Sequence, residues 1–167
     1  PIYEPGLEKL IIKNKKKGTL KFTTELKKTI KESKIIFICV GTPPKKSGDA
    51  DLSYVDNVAR TIAEVMDSYK VVVEKSTVPV HTGENVVKTI KAYNIHKVDF
   101  DFVSNPEFLR EGSAVNDFMH PDRIVIGCES ERAKKIMKEL YSPLKSPIIF
   151  TDIKSAEIIK HASNSFL

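Results

Sequence analysis

The stretch Ile35-Ile36-Phe37-Ile38-Cys39-Val40 decides the fold, because it is apolar at every position rather than at alternate positions. A strand with one face in water alternates between apolar and polar residues. A strand that is apolar throughout is covered on both faces, as in a parallel sheet between two layers of helices. Further β-rich runs, each predicted to be a strand, lie at residues 20–23, 71–73, 100–104, 123–128 and 148–151.

Amphipathic segments separate these runs, and their spacing predicts helices. The first predicted helix begins at Pro5-Gly6 and stops at Gly18, and the second and fourth follow caps at Thr24 and Thr82. The third and fifth span 53–68 and 130–141, and the last begins near Ser155. Strands that alternate with helices of this length form βαβ units with right-handed crossovers. We therefore predict an α/β fold with a parallel sheet.

Composition limits the classes of function. The 167 residues include 41% hydrophobic and 29% charged residues, and the net charge is +5. The longest apolar run is far shorter than the roughly 20 residues of a membrane span. Nearly all the basic residues are lysines spread over several segments, which is typical of a solvated surface and mildly attractive to anionic ligands. We expect a cytoplasmic protein whose partners are neither membranes nor nucleic acids.

The cysteines and histidines do not predict a metal site. Cys39 and Cys128 each end an apolar run, and we interpret both as small core residues. The four histidines have no metal-ligand spacing relative to one another or to the cysteines.

Three polar, proline-containing loops follow predicted strands, at the sheet edge where α/β proteins bind ligands. They are Gly41-Thr42-Pro43-Pro44, Glu74-Lys75-Ser76-Thr77-Val78-Pro79 and Ser104-Asn105-Pro106-Glu107-Phe108-Leu109-Arg110-Glu111-Gly112. Taken alone, the first is more simply a turn. Glu107 and Glu111 would share a face if their segment were helical, which favours a site that uses paired carboxylates over a plain surface.

The last helix presents a polar row. Glu157, Lys160 and Asn164 lie at i, i+3 and i+7, and therefore on one face. Periodicity alone favours an amphipathic helix with this face in water. The alternative is that Lys160 and Asn164 stabilise a developing oxyanion, as a cation and an amide donor one turn apart.

Several of these segments, in this order, closely resemble the UDP-glucose 6-dehydrogenase family. The resemblance covers essentially the whole chain and includes sister enzymes that act on GDP-mannose or UDP-N-acetylmannosamine. The motifs are Pro1-Ile2-Tyr3-Glu4-Pro5-Gly6-Leu7, Val40-Gly41-Thr42-Pro43-Pro44, Asp51-Leu52-Ser53-Tyr54-Val55, Lys75-Ser76-Thr77-Val78-Pro79-Val80, the Ser104–Val115 run, Asp117-Phe118, His120-Pro121-Asp122-Arg123-Ile124-Val125-Ile126-Gly127, and Ser155-Ala156-Glu157 through Lys160 to Asn164.

The resemblance implies oxidation of the C6 alcohol of UDP-glucose to a carboxylate, in two hydride transfers to NAD, through a cysteine-bound intermediate. It implies catalytic roles for Thr77, Glu107, Lys160 and Asn164. It also implies cofactor contacts from Thr42, Thr77 and Glu111. The residues implied to contact the nucleotide sugar are Glu107, Phe108, Leu109, Arg110, Glu111, Lys160 and Asn164.

Two parts of the family pattern are missing from this chain. It has no Gly-rich turn of the kind that cradles a pyrophosphate at a helix N-terminus, and neither Cys39 nor Cys128 occupies the position of the catalytic cysteine. We therefore expect an internal piece of a longer protein: an incomplete Rossmann-like domain over residues 1–152 that lacks its first βαβ unit, and the start of a long central helix over 153–167. In the usual strand order, the missing strands lie between the 20–23 and 35–40 strands. The 20–23 strand would therefore have no strand to pair with, and the 35–40 strand would expose an apolar edge.

Three readings follow. The first is a dehydrogenase that is catalytic, and a homodimer, only when whole. The second is a non-catalytic module that binds a nucleotide sugar or a partner subunit. The third, a nucleic-acid-binding domain, rests on the basic charge alone.

Overall fold

The computed structural model describes residues 3–166, which form a five-stranded sheet with helices on both faces. The elements are α1 (Leu7–Lys16), α2 (Leu26–Glu32), β1 (Ile35–Ile38), α3 (Ser53–Val65), β2 (Lys70–Glu74), α4 (Thr82–Tyr93), β3 (Phe100–Ser104), α5 (Ala114–Met119), β4 (Ile124–Gly127), α6 (Glu131–Tyr141), a 3-10 turn (Ser142–Leu144), β5 (Ile148–Thr151) and α7 (Ile153–Ser165).

The sheet order is β1-β2-β3-β4-β5, and three of its four pairings are parallel. This confirms the α/β, Rossmann-like prediction. The prediction of a parallel sheet fails at one pairing, because β3 and β4 are antiparallel and pair only at Ser104 and Gly127. The connection between them contains only the six-residue helix α5 and makes no helical crossover over the sheet. It stays at the carboxyl edge, where it forms a polar loop.

The core has two halves, one on each face of the sheet. Buried residues of α3 and α4 pack on one face around Val72, and Ala133, Met137 and Tyr141 of α6 pack on the other around Val71 and Val73. Every residue of β2 is buried, as expected for a strand between two layers. The carboxyl ends of β1, β2 and β3 therefore rest on a rigid support.

The predicted strand at residues 20–23 is wrong. These residues have no regular structure, and Phe22 is 68% exposed, because no strand among residues 3–166 lies beside them. The Thr24 cap is wrong as well, since Glu25 precedes α2 and its backbone N–H donates to the Thr23 hydroxyl.

β1 forms the edge of the sheet. Ile38 is buried, but Phe37 is 37% exposed and Cys39 is exposed, so the prediction that both faces of this strand are covered fails at these positions. Cys39 is not a core residue, because β1 has no neighbour on its outer side among the described residues. The core interpretation of Cys128 is confirmed, since it is 3% exposed.

No helix in residues 3–166 is long and apolar enough to cross a bilayer.

Candidate functional site

The polar face of α7 points into the protein. Glu157 is 3% exposed and Lys160 is 6% exposed, whereas Ile158 is 50% exposed. The interpretation that the polar row of this helix lies in water is therefore wrong for Glu157 and Lys160, whereas Asn164 is exposed. Sequence periodicity separates the polar face of a helix from its apolar face, but it does not determine which of the two faces is buried.

Lys160 meets Glu107 at the carboxyl edge of the sheet. The Lys160 Nζ atom lies 3.0 Å from Glu107 Oε1, and the Lys160 side chain is more deeply covered than that of Glu107. The Phe108 ring lies near two cations, with Lys160 Nζ 5.7 Å and the Arg123 guanidinium 4.8 Å from its centroid. A cation, a carboxylate and an aromatic face thus come together from two distant parts of the sequence.

The segment that carries Glu107 is irregular from Asn105 to Arg110, so Glu107 and Glu111 do not share a helical face as the sequence suggested. Asn105 anchors this segment. Its backbone N–H donates to the Glu74 carbonyl at 2.9 Å, its side-chain amide donates to the Val125 carbonyl at 2.8 Å, and its side-chain oxygen accepts the hydroxyl of Tyr141. Glu107 is therefore held on a fixed support.

The second half of the loop is held by two carboxylates. Asp117 accepts two bonds from the Arg110 guanidinium, at 3.1 and 2.9 Å, together with the hydroxyl of Ser113. This pairing with Arg110 keeps the pKa of the Asp117 carboxyl well below its usual range. Glu4 accepts the backbone N–H groups of Gly112, at 2.9 Å, and Ala114, at 3.3 Å. The guanidinium of Arg110 therefore has an internal partner.

Thr42 and Thr77 lie side by side after β1 and β2. The Thr42 hydroxyl donates to the Thr77 carbonyl at 2.9 Å. Both loops continue parallel strands that are paired to each other, which brings them to one edge of the sheet. The two residues are therefore neighbours in space, and their contact with a cofactor stays a prediction.

Glu111 and Asn164 are exposed, and within residues 3–166 neither side chain makes a hydrogen bond or an ion pair. Leu109 is 36% exposed, and its backbone N–H donates to the Glu107 carboxylate. Within residues 3–166, neither Glu111 nor Asn164 therefore makes a polar contact with the Lys160–Glu107 pair.

Sequence reasoning missed Lys75. Its Nζ atom lies 3.4 Å from both the backbone carbonyl and the side-chain oxygen of Asn105. Burial lowers the pKa of Lys75, and the nearby Glu107 carboxylate opposes that shift. Its position directly after β2, beside Ser76 and Thr77, was the available signal.

A cavity of about 410 Å³ opens above these groups. Its walls combine charged and apolar side chains, and one of its lining residues, Ser163, comes from α7. Among the lining residues are Lys75, Asn105, Glu107, Phe108, Arg110, Asp117, Arg123 and Tyr141. Basic and acidic groups therefore line one concave space of the size of a small-molecule site.

Glu74 is buried beside the site at the end of β2, and 2% of it is exposed. Its Oε1 atom accepts the backbone N–H of Ser76 at 2.8 Å, whereas Oε2 has no hydrogen-bond partner among the described residues. Burial raises the pKa of Glu74 to about 7, and the Glu157 carboxylate adds to the rise. The protonated form is therefore favoured below a pH of about 7.

Two helix N-termini at this edge already hold carboxylates. Asp51 accepts the backbone N–H of Ser53 at the start of α3, at 3.0 Å. Glu157 accepts the N–H groups of His81 and Gly83 at the start of α4, so the predicted Thr82 cap is wrong. Free helix N-termini bind phosphates, and these two are occupied. The described residues thus offer no free cradle for a pyrophosphate at the N-terminus of α3 or α4.

Neither cysteine has the environment of a reactive thiolate. Burial raises the pKa of the Cys128 thiol. Partial covering of the sulfur raises the pKa of Cys39 as well, and Lys75 offsets only part of that rise. Among the described residues, no group of three or more His, Cys, Asp or Glu side chains is arranged to hold a metal ion.

Residues 1–145 match the model of a protein family described as the UDP-glucose/GDP-mannose dehydrogenase family, NAD binding domain. Among curated relatives, the chain is 50% identical to the UDP-glucose 6-dehydrogenase TuaD of Bacillus subtilis and 49% identical to a UDP-glucose 6-dehydrogenase of Rhizobium meliloti. These alignments cover 100% of this chain, but only 36% and 39% of the two relatives.

Solved structures of the same kind superpose closely. A UDP-glucose dehydrogenase from Pyrobaculum islandicum gives a TM-score of 0.94 at 41% identity, and so does a GDP-mannose dehydrogenase from Pseudomonas aeruginosa. In both cases 99% of this chain and 39% of the solved chain are covered.

Proposed function

The chain belongs to the UDP-glucose/GDP-mannose dehydrogenase family, and from this membership we propose that it is the NAD-binding part of a UDP-glucose 6-dehydrogenase. The whole protein would oxidise the C6 alcohol of UDP-glucose to the carboxylate of UDP-glucuronate. Bound NAD would supply the hydride acceptor for each of the two oxidation steps. Residues 1–152 would form the NAD-binding part, and residues 153–167 would begin a central connecting helix.

The observation that carries this proposal is the pairing of Lys160 with Glu107, 3.0 Å apart, beside a cavity that Glu107 lines at the carboxyl edge of the sheet. An alcohol that loses a hydride must also lose its hydroxyl proton. Glu107 would accept that proton, or orient the water that later releases the acid. Lys160 would stabilise negative charge on the oxygen, and its deep burial makes that interaction stronger than in water.

The neighbouring residues would bind and orient the ligands. Thr42 and Thr77, joined by a hydrogen bond, would contact the cofactor, and Thr77 would help to position the water. Glu111 and Asn164 are exposed and would take up their roles, beside the nicotinamide and the reacting oxygen, when ligands fill the cavity.

The loop after Glu107 would contact the nucleotide sugar through Phe108, Leu109 and Arg110. The loop is pre-formed, because Asp117 and Glu4 hold it in place. Pre-formed contacts lower the entropic cost of orienting a substrate. The catalytic thiol would come from outside this chain, since the pKa values of Cys39 and Cys128 are both raised. We therefore propose that the chain alone does not turn over.

GDP-mannose remains a second candidate substrate, because the GDP-mannose dehydrogenase superposes as closely as the UDP-glucose dehydrogenase. UDP-N-acetylmannosamine is a weaker candidate, since the corresponding dehydrogenase from Pyrococcus horikoshii is 32% identical with a TM-score of 0.89. We also propose that the whole enzyme is a cytoplasmic homodimer.

The test measures NADH formation by the full-length protein that contains this chain, with UDP-glucose, GDP-mannose and UDP-N-acetylmannosamine as substrates. We expect UDP-glucose to give the highest kcat/KM and two NADH per product. Glu107→Gln and Lys160→Met should each lower kcat by about 100-fold or more. The matched control is Lys154→Met, on the same helix, because Lys154 pairs with the partly exposed Glu84 instead. Full activity of Lys160→Met would contradict the proposal.

A further inference from the structure

Glu157 joins α7 to the first turn of α4. Its Oε2 atom accepts the backbone N–H of His81 at 2.8 Å, and its Oε1 atom accepts that of Gly83 at 2.7 Å. Both oxygens of a carboxylate that is 3% exposed are thus used by another element. Hydrogen bonds to a charged group are stronger than neutral ones, and here the positive end of the α4 dipole adds to them.

Two glycines bring α7 close enough for these bonds. A Cβ atom at Gly83 would lie 2.7 Å from Ile153 Cγ2 and 3.2 Å from Glu157 Oε1. A Cβ atom at Gly127 would lie 2.6 Å from the Cβ of Ala156. Close packing fixes the distance of α7 from the sheet. It fixes position along the helix axis less well, because apolar contacts are not directional.

The two hydrogen bonds that Glu157 accepts are directional, and they fix the position of α7 along its axis. Lys160 follows Glu157 by three residues and lies on the same face of α7. A helix rises 1.5 Å per residue, so a shift by one residue would carry Lys160 Nζ out of contact with Glu107, from which it is now 3.0 Å away. His161 is the next residue, and its Nε2 donates to the Val78 carbonyl at 2.7 Å, on the same side of the sheet edge.

We propose that Glu157 is a positioning residue for the candidate site, because it fixes α7 along its axis and so places Lys160 opposite Glu107. This inference deepens the proposed function and rests on it for the catalytic meaning of the pair. The effect of Glu157 on the burial of Lys160 does not depend on catalysis. It is therefore tested without an activity assay.

The experiment is amine acetylation of the native chain with a water-soluble reagent, with the modification of each lysine followed by mass spectrometry. Lys160 is 6% exposed, and we expect slow labelling in the wild-type chain. In Glu157→Ala we expect Lys160 to react on the order of tenfold faster, because both hydrogen bonds to the carboxylate are lost. Glu64→Ala is the control, since it removes an exposed carboxylate from α3 that, within residues 3–166, makes no ion pair with α7.

Lys70 is the internal reference. It is 2% exposed, and its Nζ atom donates to the Lys31 carbonyl at 2.7 Å, on a different element. General destabilisation accelerates labelling of Lys70 and Lys160 together, whereas loss of positioning accelerates Lys160 alone. A rise in the Lys160-to-Lys70 ratio in Glu157→Ala and not in Glu64→Ala supports the proposal. An unchanged ratio overturns it.

A second variant covers the case in which Glu157→Ala does not fold. Glu157→Gln keeps the volume of the side chain and one accepting oxygen, but it turns an amide N–H₂ toward the second backbone donor. We expect a smaller rise in the same ratio, about threefold or more. If Glu157→Gln folds and leaves the ratio at the wild-type value, Glu157 is a structural cap of α4 only, and the proposal fails even where the dehydrogenase assay succeeds.

Discussion

Replacing Glu74 by Gln should change how the stability of the chain depends on pH. Glu74 is 2% exposed, and one of its oxygens has no partner among residues 3–166. The folded state raises the pKa of this carboxyl from 4.5 to about 7. The folded protein therefore binds the proton more tightly than the unfolded chain does.

The sign follows from this comparison. The contribution of Glu74 to stability is fully present below a pH of about 4.5, decreases as the pH rises, and is lost above about 7. The difference of about 2.5 pH units corresponds to about 3 kcal/mol. Glutamine stays neutral and still accepts the N–H of Ser76, so Glu74→Gln should remove this pH-dependent loss.

The assay is urea unfolding of the wild-type chain and Glu74→Gln at a series of pH values from about 4 to about 9. We expect similar free energies of unfolding near pH 4 and a variant that is more stable by about 2–3 kcal/mol near pH 8.5. Glu84→Gln is the control with the opposite sign. Hydrogen bonds, chiefly from Lys154, lower the pKa of Glu84 to about 2, so its contribution is present above the unfolded pKa and lost in acid. Parallel profiles for Glu74→Gln and the wild type would refute the reasoning.

Three further outcomes are expected. Gly83→Ala should lower the free energy of unfolding by about 1–3 kcal/mol, because the added Cβ would meet side chains at 2.7 Å. Gly41→Ala adds a Cβ in open space and should change this free energy little. Equal free energies of the two variants in urea unfolding would contradict this expectation. Tyr141→Phe should cost about 1 kcal/mol through the lost bond to Asn105, and an unchanged thermal midpoint would show that this bond is dispensable. The wild-type chain should associate through the β1 edge as its concentration rises, and Phe37→Lys should reduce this; size-exclusion profiles that do not change with concentration would count against that edge.

The sheet could be predicted from the sequence where apolar runs are long enough to define strands. The strands at 100–104 and 148–151 have the predicted bounds, because both runs end at polar or proline residues. Residues 20–23 have strand-like composition and no strand structure, because pairing depends on a neighbour that composition does not reveal.

The site was predictable in its parts but not in its arrangement. Glu107 and Lys160 were both singled out from local pattern and resemblance, yet only the structure places them 3.0 Å apart. The inward turn of α7 depends on Glu157 and on two glycines in other elements. Such contacts join residues far apart in the sequence, and a single sequence without folded coordinates carries no direct signal of them.

The bond from Glu4 to the loop at Gly112 and Ala114 has a consequence for proteolysis. Helix α1 follows Glu4 in the sequence and has no buried residue. Lys13, Lys15 and Lys16 of this helix, and Lys17 directly after it, are exposed. Trypsin cuts after lysine, and exposed segments with few contacts are cut first. One cleavage there would cut the chain between Glu4, which steadies the loop at Gly112 and Ala114, and the strand that precedes Glu107, while the sheet itself stayed whole. Limited digestion is thus a way to loosen the loop without a mutation.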